Sequence, residues 1–273
     1  MRQPQQQAEG VCHHLASSMS LQNDLESLWL LQQQVRDVHP LLRERYYLCV
    51  ATGRQLEVYR TTEGGYTHHG AVQLPITVPE GTLAAFAVEE LGDAAAIVTS
   101  GALQTIDGRV GILHEFVHCF QWRTCELVLR SELPVLKAVE SDPTLELNYP
   151  MDYACPAIRQ VLQSCVAGEP LDAGIVLRSI AAALSQLDYQ YFVWQTWKEG
   201  FARFIENLIR KQVGVQENIV GSDPERVSRI SLYYLGEEIW KDLAREPPSV
   251  EQMTAVFHKM MDGQHNKSLE LTP

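Results

Sequence analysis

The chain has no C-x-x-C pair, no long apolar run and a deficit of positive charge, and each absence excludes a class of function. Its six cysteines (Cys12, Cys49, Cys119, Cys125, Cys155 and Cys165) are scattered. That argues against a disulfide framework or a cysteine–zinc module, and for reduced thiols in a cytoplasmic setting. A membrane span needs about 18 or more apolar residues in a row. The most apolar stretch, Gly81 to Thr99, is broken by Glu89, Glu90 and Asp93, so no membrane partner is expected. Against 34 Asp+Glu stand only 22 Lys+Arg, a formal net charge of −12. Such a chain repels a phosphate backbone, and nucleic-acid binding is not expected. The opening residues, MRQPQQQAEG, lack the charged-then-apolar pattern of a signal peptide.

What is present is enough apolar material for a substantial core: 273 residues, 45% hydrophobic and 21% charged. Residues 1–20 are Gln- and Ser-rich and read as a flexible tail, with His13 and His14 solvated in it. Leu21, Leu25, Leu28 and Leu31 recur three or four apart, which predicts an amphipathic helix over 21–36 ended by Pro40. Short β-like runs follow at Tyr46–Thr52, Gln55–Arg60 and Ala71–Val78, the first two joined as a hairpin at Gly53. Leu83–Leu91 reads as helix, Ala94–Thr99 as a buried strand, and Asp107 to about Arg123 as a helix capped by Asp107. Pro134, Pro143, Pro150 and Pro156 make 133–156 an expected irregular crossing. Helices are expected near 156–167, 171–185, 189–212, 224–245 and 249–262, with Asp223-Pro224 and Ser249 as start signals.

Within the 107–123 helix stands His114-Glu115-Phe116-Val117-His118, an H-E-x-x-H. Four residues advance a helix by about 400°, so the two imidazoles lie about 40° apart on one face, one turn along. Both can reach one zinc ion at about 2.0–2.1 Å. Glu115 is turned about 100° from His114, where it meets a metal-bound water without being a ligand and serves as general base. Val110, Ile112, Leu113, Phe116, Val117 and Phe120 make the helix apolar around the motif. Two imidazoles and a carboxylate in such surroundings are costly unless paired or ligating.

Zinc held by two histidines needs a third protein ligand and an open position. The segment Trp197-Lys-Glu-Gly-Phe-Ala-Arg-Phe-Ile-Glu206 offers one in Glu199. Gly200 permits a close approach beside it. Glu206, two turns on, is placed to orient a ligand histidine, and Arg203 to pair with Glu206.

Together, H-E-F-V-H and W-K-E-G-F-A-R-F-I-E resemble the signatures of the gluzincin metallopeptidases, particularly the zinc aminopeptidase group. The resemblance implies His114, His118 and Glu199 as ligands of one zinc and Glu115 as base. It extends to Tyr233-Tyr-Leu-Gly236, which resembles the Y-x-x-G whose tyrosine stabilises the oxyanion and so implies Tyr233 in that role. Eighty residues intervene between His118 and Glu199, where the family has a short spacer. The Gly-rich G-x-M-E-N strand that reads a substrate amino-terminus is missing.

The expectation is an α+β, zincin-like fold with a small N-terminal sheet, an active-site helix and a mainly helical C-terminal lobe. A single two-lobed catalytic domain would occupy 21–265, with lobes at about 21–125 and 150–262. Its function would be zinc-dependent hydrolysis of peptide or protein substrates. The alternative is a zincin-like regulatory or interaction module, against which the retained Glu115 argues. His68-His69 is expected in a solvated loop, Cys119 as a buried filler, and Trp122, Trp194 and Trp197 as packing between lobes.

Overall fold

Between residues 47 and 99 the chain alternates β-branched and aromatic residues with tight turns, and there it forms a sheet. The computed structural model describes residues 5–141, 144–153, 155–244 and 248–263, with side chains from residue 20 on except 138–141 and 144–145. Of the segment expected as a flexible tail, residues 1–4 lie outside the described residues and 5–20 are helical, while the side chains of His13 and His14 are not described.

Five strands, β1 (Tyr47–Thr52), β2 (Gln55–Thr62), β3 (Gly65–Gln73), β4 (Leu83–Val88) and β5 (Asp93–Thr99), lie in the order β3-β2-β1-β5-β4. Only the β1–β5 pair is parallel. The expected hairpin is present, with Thr52 opposite Gln55 and Gly53 at φ 63°, a left-handed conformation that favours glycine. Ala95 and Ile97 of β5 join Cys49, Leu56, Val58 and Val88 in one cluster, while Ala94, Ala96 and Val98 are buried on the opposite face.

Several expectations need correction. The third strand starts at Gly65 rather than Ala71, because the Glu63-Gly64 turn reverses the chain directly after β2 and sets Thr62 opposite Gly65. His68 and His69 therefore sit on a strand, not a loop, and His68 Nε2 meets Glu57 Oε2 at 2.8 Å. Leu83–Val88 is a strand, not a helix, since antiparallel bonds to β5 override the helix propensity of its alanines. Helix α1 (Gln5–Val35) begins well before residue 21 and stops five residues before Pro40, which opens a short 3₁₀ turn instead. Its buried face carries Leu25, Leu28, Leu31 and Val35, and Tyr66 of β3 donates to Gln32 Oε1 at 3.0 Å.

After α2 (Gly101–Gln104) comes α3 (Ile106–Gln121). Its cap is Thr105, whose hydroxyl accepts from the Gly108 amide at 3.0 Å; Asp107 lies in the first turn. Glycine is required at 108 because a Cβ there would strike the Ala102 backbone. Phe116 stacks on Tyr46 with centroids 4.8 Å apart, fixing the rotation of the motif turn.

The chain divides into two compact units, up to Cys119 and from Phe120. The second is mostly helical. The helix α3 runs through a π-helical turn at Trp122–Glu126 into α4 (Leu127–Glu132), followed by α5 (Pro134–Ser141) and α6 (Thr144–Asn148). The expected irregular crossing is thus helical in part. Pro134 and Pro156 occupy first helical positions, where the missing N–H costs nothing. Then come α7 (Pro156–Val166), α8 (Ala173–Ala183), α9 (Gln186–Gln212), α10 (Arg229–Leu243) and α11 (Val250–Met261). Helix α10 starts five residues later than Pro224, because Asp223 is spent on a turn in which its side chain accepts from the Glu225 amide at 2.9 Å. Ser249 caps α11 as expected.

Helix α9 is the centre of this unit. Every residue from Tyr189 to Trp197 is buried, the signature of a helix surrounded by others. Trp197 donates to Met253 O at 3.0 Å and Tyr189 to Met260 O at 2.6 Å, securing α11. No helix among the described residues is long and apolar enough to cross a membrane. None of the five cysteines with described side chains is in a disulfide.

Candidate metal centre

The 3.6-residue period brings the α3 histidines together, with ring centroids 5.0 Å apart and planes at 76°. His114, Glu115 and His118 are all buried, whereas Cys119 turns into the core as a fully buried thiol. Val110, Ile112, Leu113, Phe116 and Val117 have no exposed surface, so the polar residues stand in an apolar helix as expected.

Glu199 lies on α9 directly after Lys198. That lysine is clamped by two carboxylates, Glu146 Oε1 at 2.8 Å and Glu126 Oε1 at 3.2 Å. Burial works against its charge, but Glu126, Glu146 and Glu199 outweigh that and keep it firmly protonated. Its carbonyl accepts from Gln121 Nε2 at 3.1 Å, tying the last residue of α3 to the turn that carries Glu199. Arg130 joins the cluster 3.7 Å from Glu146 Oε2.

Gly200 is required by packing. A Cβ there would meet Gly236 Cα at 2.5 Å, and one on Gly236 would meet Thr196 O at 2.5 Å. The glycines of E-G-F-A and Y-x-x-G are therefore the point where α9 and α10 touch backbone to backbone. Trp197–Trp240, Gly200–Gly236 and Arg203–Tyr233 contacts run in opposite order along the two helices, which are antiparallel. That crossing carries Tyr233, which accepts a hydrogen bond from Arg229 Nη1.

Arg203 and Glu206 pair as expected, with Nε 3.4 Å from Oε2. Glu206 also accepts from Arg210 Nε at 2.8 Å and Asn218 Nδ2 at 2.9 Å. Arg203 donates to Asn218 O and Val220 O, so the pair pins the loop between α9 and α10.

Among the described residues, one group of three or more His, Cys, Asp or Glu could hold a metal ion. It is His114, His118 and Glu199, whose ligand atoms lie within 4.8 Å of one another. No family model, curated protein or solved structure matches the chain.

Sequence reasoning missed Lys198, Glu126 and Glu146, because their pairing spans 72 and 52 positions and leaves no local pattern. It missed Arg210 despite a readable signal, the i, i+4 spacing from Glu206. Arg229 was also missed; its i, i+4 spacing to Tyr233 was visible.

Proposed function

We propose that this chain is a zinc-dependent hydrolase of peptide bonds, a gluzincin-type metallopeptidase with a zincin-like fold. The observation that carries the reading is the grouping of His114, His118 and Glu199 donors within 4.8 Å, in the two segments that the motifs single out. The donor set fits zinc: two imidazole nitrogens and one carboxylate oxygen leave a fourth position open for water. When bound, the metal supplies Lewis acidity and lowers the pKa of a coordinated water.

The remaining chemistry belongs to the chain. Glu115 takes the proton of the attacking water and passes it to the leaving amine. Tyr233 donates its O–H to the carbonyl oxygen as negative charge develops there. Arg229 donates to the phenol oxygen and so fixes its orientation. Glu206 orients a ligand histidine, with Arg203 and Arg210 holding its carboxylate. The scattered cysteines, with no disulfide among the described residues, support a cytoplasmic setting.

Elemental analysis of purified protein tests the reading. The expected result is about one zinc per chain, with most of it lost in His114→Ala. Wild-type zinc content in that variant would remove His114 from the ligand set.

A further inference from the structure

Arg229 is the first residue of α10 and is half-buried. Its Nη1 donates to the Tyr233 hydroxyl one turn on, and its guanidinium carbon lies 5.2 Å from the centroid of that ring. Arg203 stands 5.9 Å from the same centroid but is held by Asn218 O, Val220 O and the Glu206 carboxylate. Arg229 is not. Among the described residues, no carboxylate lies within ion-pair distance of it, and the Tyr233 oxygen is its hydrogen-bond acceptor. A guanidinium carries five N–H donors in a planar fork.

Opposing effects act on a cation at this position. The first turn of a helix is the positive end of its dipole. Burial works against the charge, and the fields of Tyr233 and Glu199 act in the opposite sense and hold the proton on. Glu199 therefore acts on Arg229 through its field. Once Glu199 spends its charge on a metal, Arg229 is left without local compensation. The phenol of Tyr191 shares this neighbourhood but donates to Glu146 O at 2.8 Å, so it supplies no anion. The remaining Arg229 N–H groups are not among the buried unpartnered atoms and so are open to a ligand, and a guanidinium fork matches a carboxylate in two parallel hydrogen bonds.

We infer that Arg229 binds a substrate carboxylate beside Glu199, which makes the preferred substrates peptides with an acidic group next to the cleaved bond. This rests on the hydrolase reading above. The carboxylate has two sources, a free C-terminus or an Asp or Glu side chain.

Three pools of N-acetylated tetrapeptides separate the sources: free C-terminal acids without Asp or Glu, the same sequences as C-terminal amides, and amides with one glutamate. The zinc-loaded wild type should cleave one of the two acidic pools at least about tenfold faster in kcat/KM than the neutral amides. A preference for the first assigns a C-terminal carboxylate, for the third a side chain. Arg229→Gln should bring that ratio to within about threefold, and Arg229→Lys should restore part of it. Calorimetric binding of each pool to zinc-loaded Glu115→Gln protein gives a readout independent of turnover, and the same order is expected. Cleavage of all pools at equal rates would overturn the Arg229 assignment and leave the hydrolase reading standing. Cleavage of none would sink the hydrolase reading, and equal binding of acids and amides would then dispose of the carboxylate site as well.

Discussion

His114, Glu115 and His118 are almost equally buried, at 8%, 8% and 7% exposure, yet the proposed mechanism gives them different work. Exchanging Glu115 for Gln preserves shape and removes the ability to take a proton. The variant should keep its zinc and fold while hydrolysis of a mixed peptide library falls by about 10² to 10⁴-fold, the usual worth of a general base. Tyr233→Phe should lose less than Glu115→Gln, on the order of 10² to 10³ at most, because a metal held by His114, His118 and Glu199 would still stabilise negative charge there. Equal activity in wild type and Glu115→Gln would refute the mechanism even with zinc present. If wild type cleaves nothing, the interaction-module alternative takes over. At this scale the α3 residues were legible because a four-residue spacing on a helix is geometry in itself. The donors that hold Glu206 were not all legible: Asn218 reaches it from a loop twelve residues away.

Among the elements, the α9–α10 pair depends on two glycines. A methyl on Gly200 would lie 2.5 Å from Gly236 Cα and C, both backbone atoms that cannot swing aside. Gly200→Ala should therefore push the helices apart and destabilise by roughly 1–3 kcal/mol, as overpacking does. Urea denaturation of the variant measures this. An unchanged midpoint would mean that the contact is not tight. Because Tyr233 rides on the same crossing, activity should fall with stability. Helices α7, α8, α9 and α11 were readable from caps and apolar spacing, since both signals are local. Strand β4 was not, because Leu-Ala-Ala-Phe-Ala-Val suits a helix in isolation and becomes a strand only through its pairing with β5.

For the molecule as a whole, the charge cluster of the helical unit sets an acid limit. Burial alone would raise the Glu146 carboxyl, but Lys198 at 2.8 Å and Arg130 at 3.7 Å outweigh it and hold it below the usual carboxylate range. A carboxylate depressed in the folded state contributes stability that is complete above its unfolded value, about pH 4.3, and lost as pH falls through the folded one. Stability followed by chemical denaturation should therefore drop as pH is lowered below about 4. Glu146→Gln should flatten that part of the profile while lowering stability at neutral pH, because Lys198 then keeps only Glu126 at 3.2 Å. A wild-type profile still flat below pH 4 would show that the pair contributes nothing. Burial pushes the Cys49 thiol up to about 12 and the Cys125 thiol to about 11, which disfavours their thiolates.

By itself the sequence determined the α+β division, most of the helices and the placing of His114, Glu115 and His118 on one stretch of helix. All of these follow from periods of two and 3.6 residues and from capping groups within a few positions. The tertiary structure alone decided that β1 pairs in parallel with β5, that Gly200 meets Gly236, and that Lys198 is shared by Glu126 and Glu146. Those outcomes depend on which distant segments bury one another's surface and satisfy one another's hydrogen bonds, a choice the whole chain makes at once and no local spacing records.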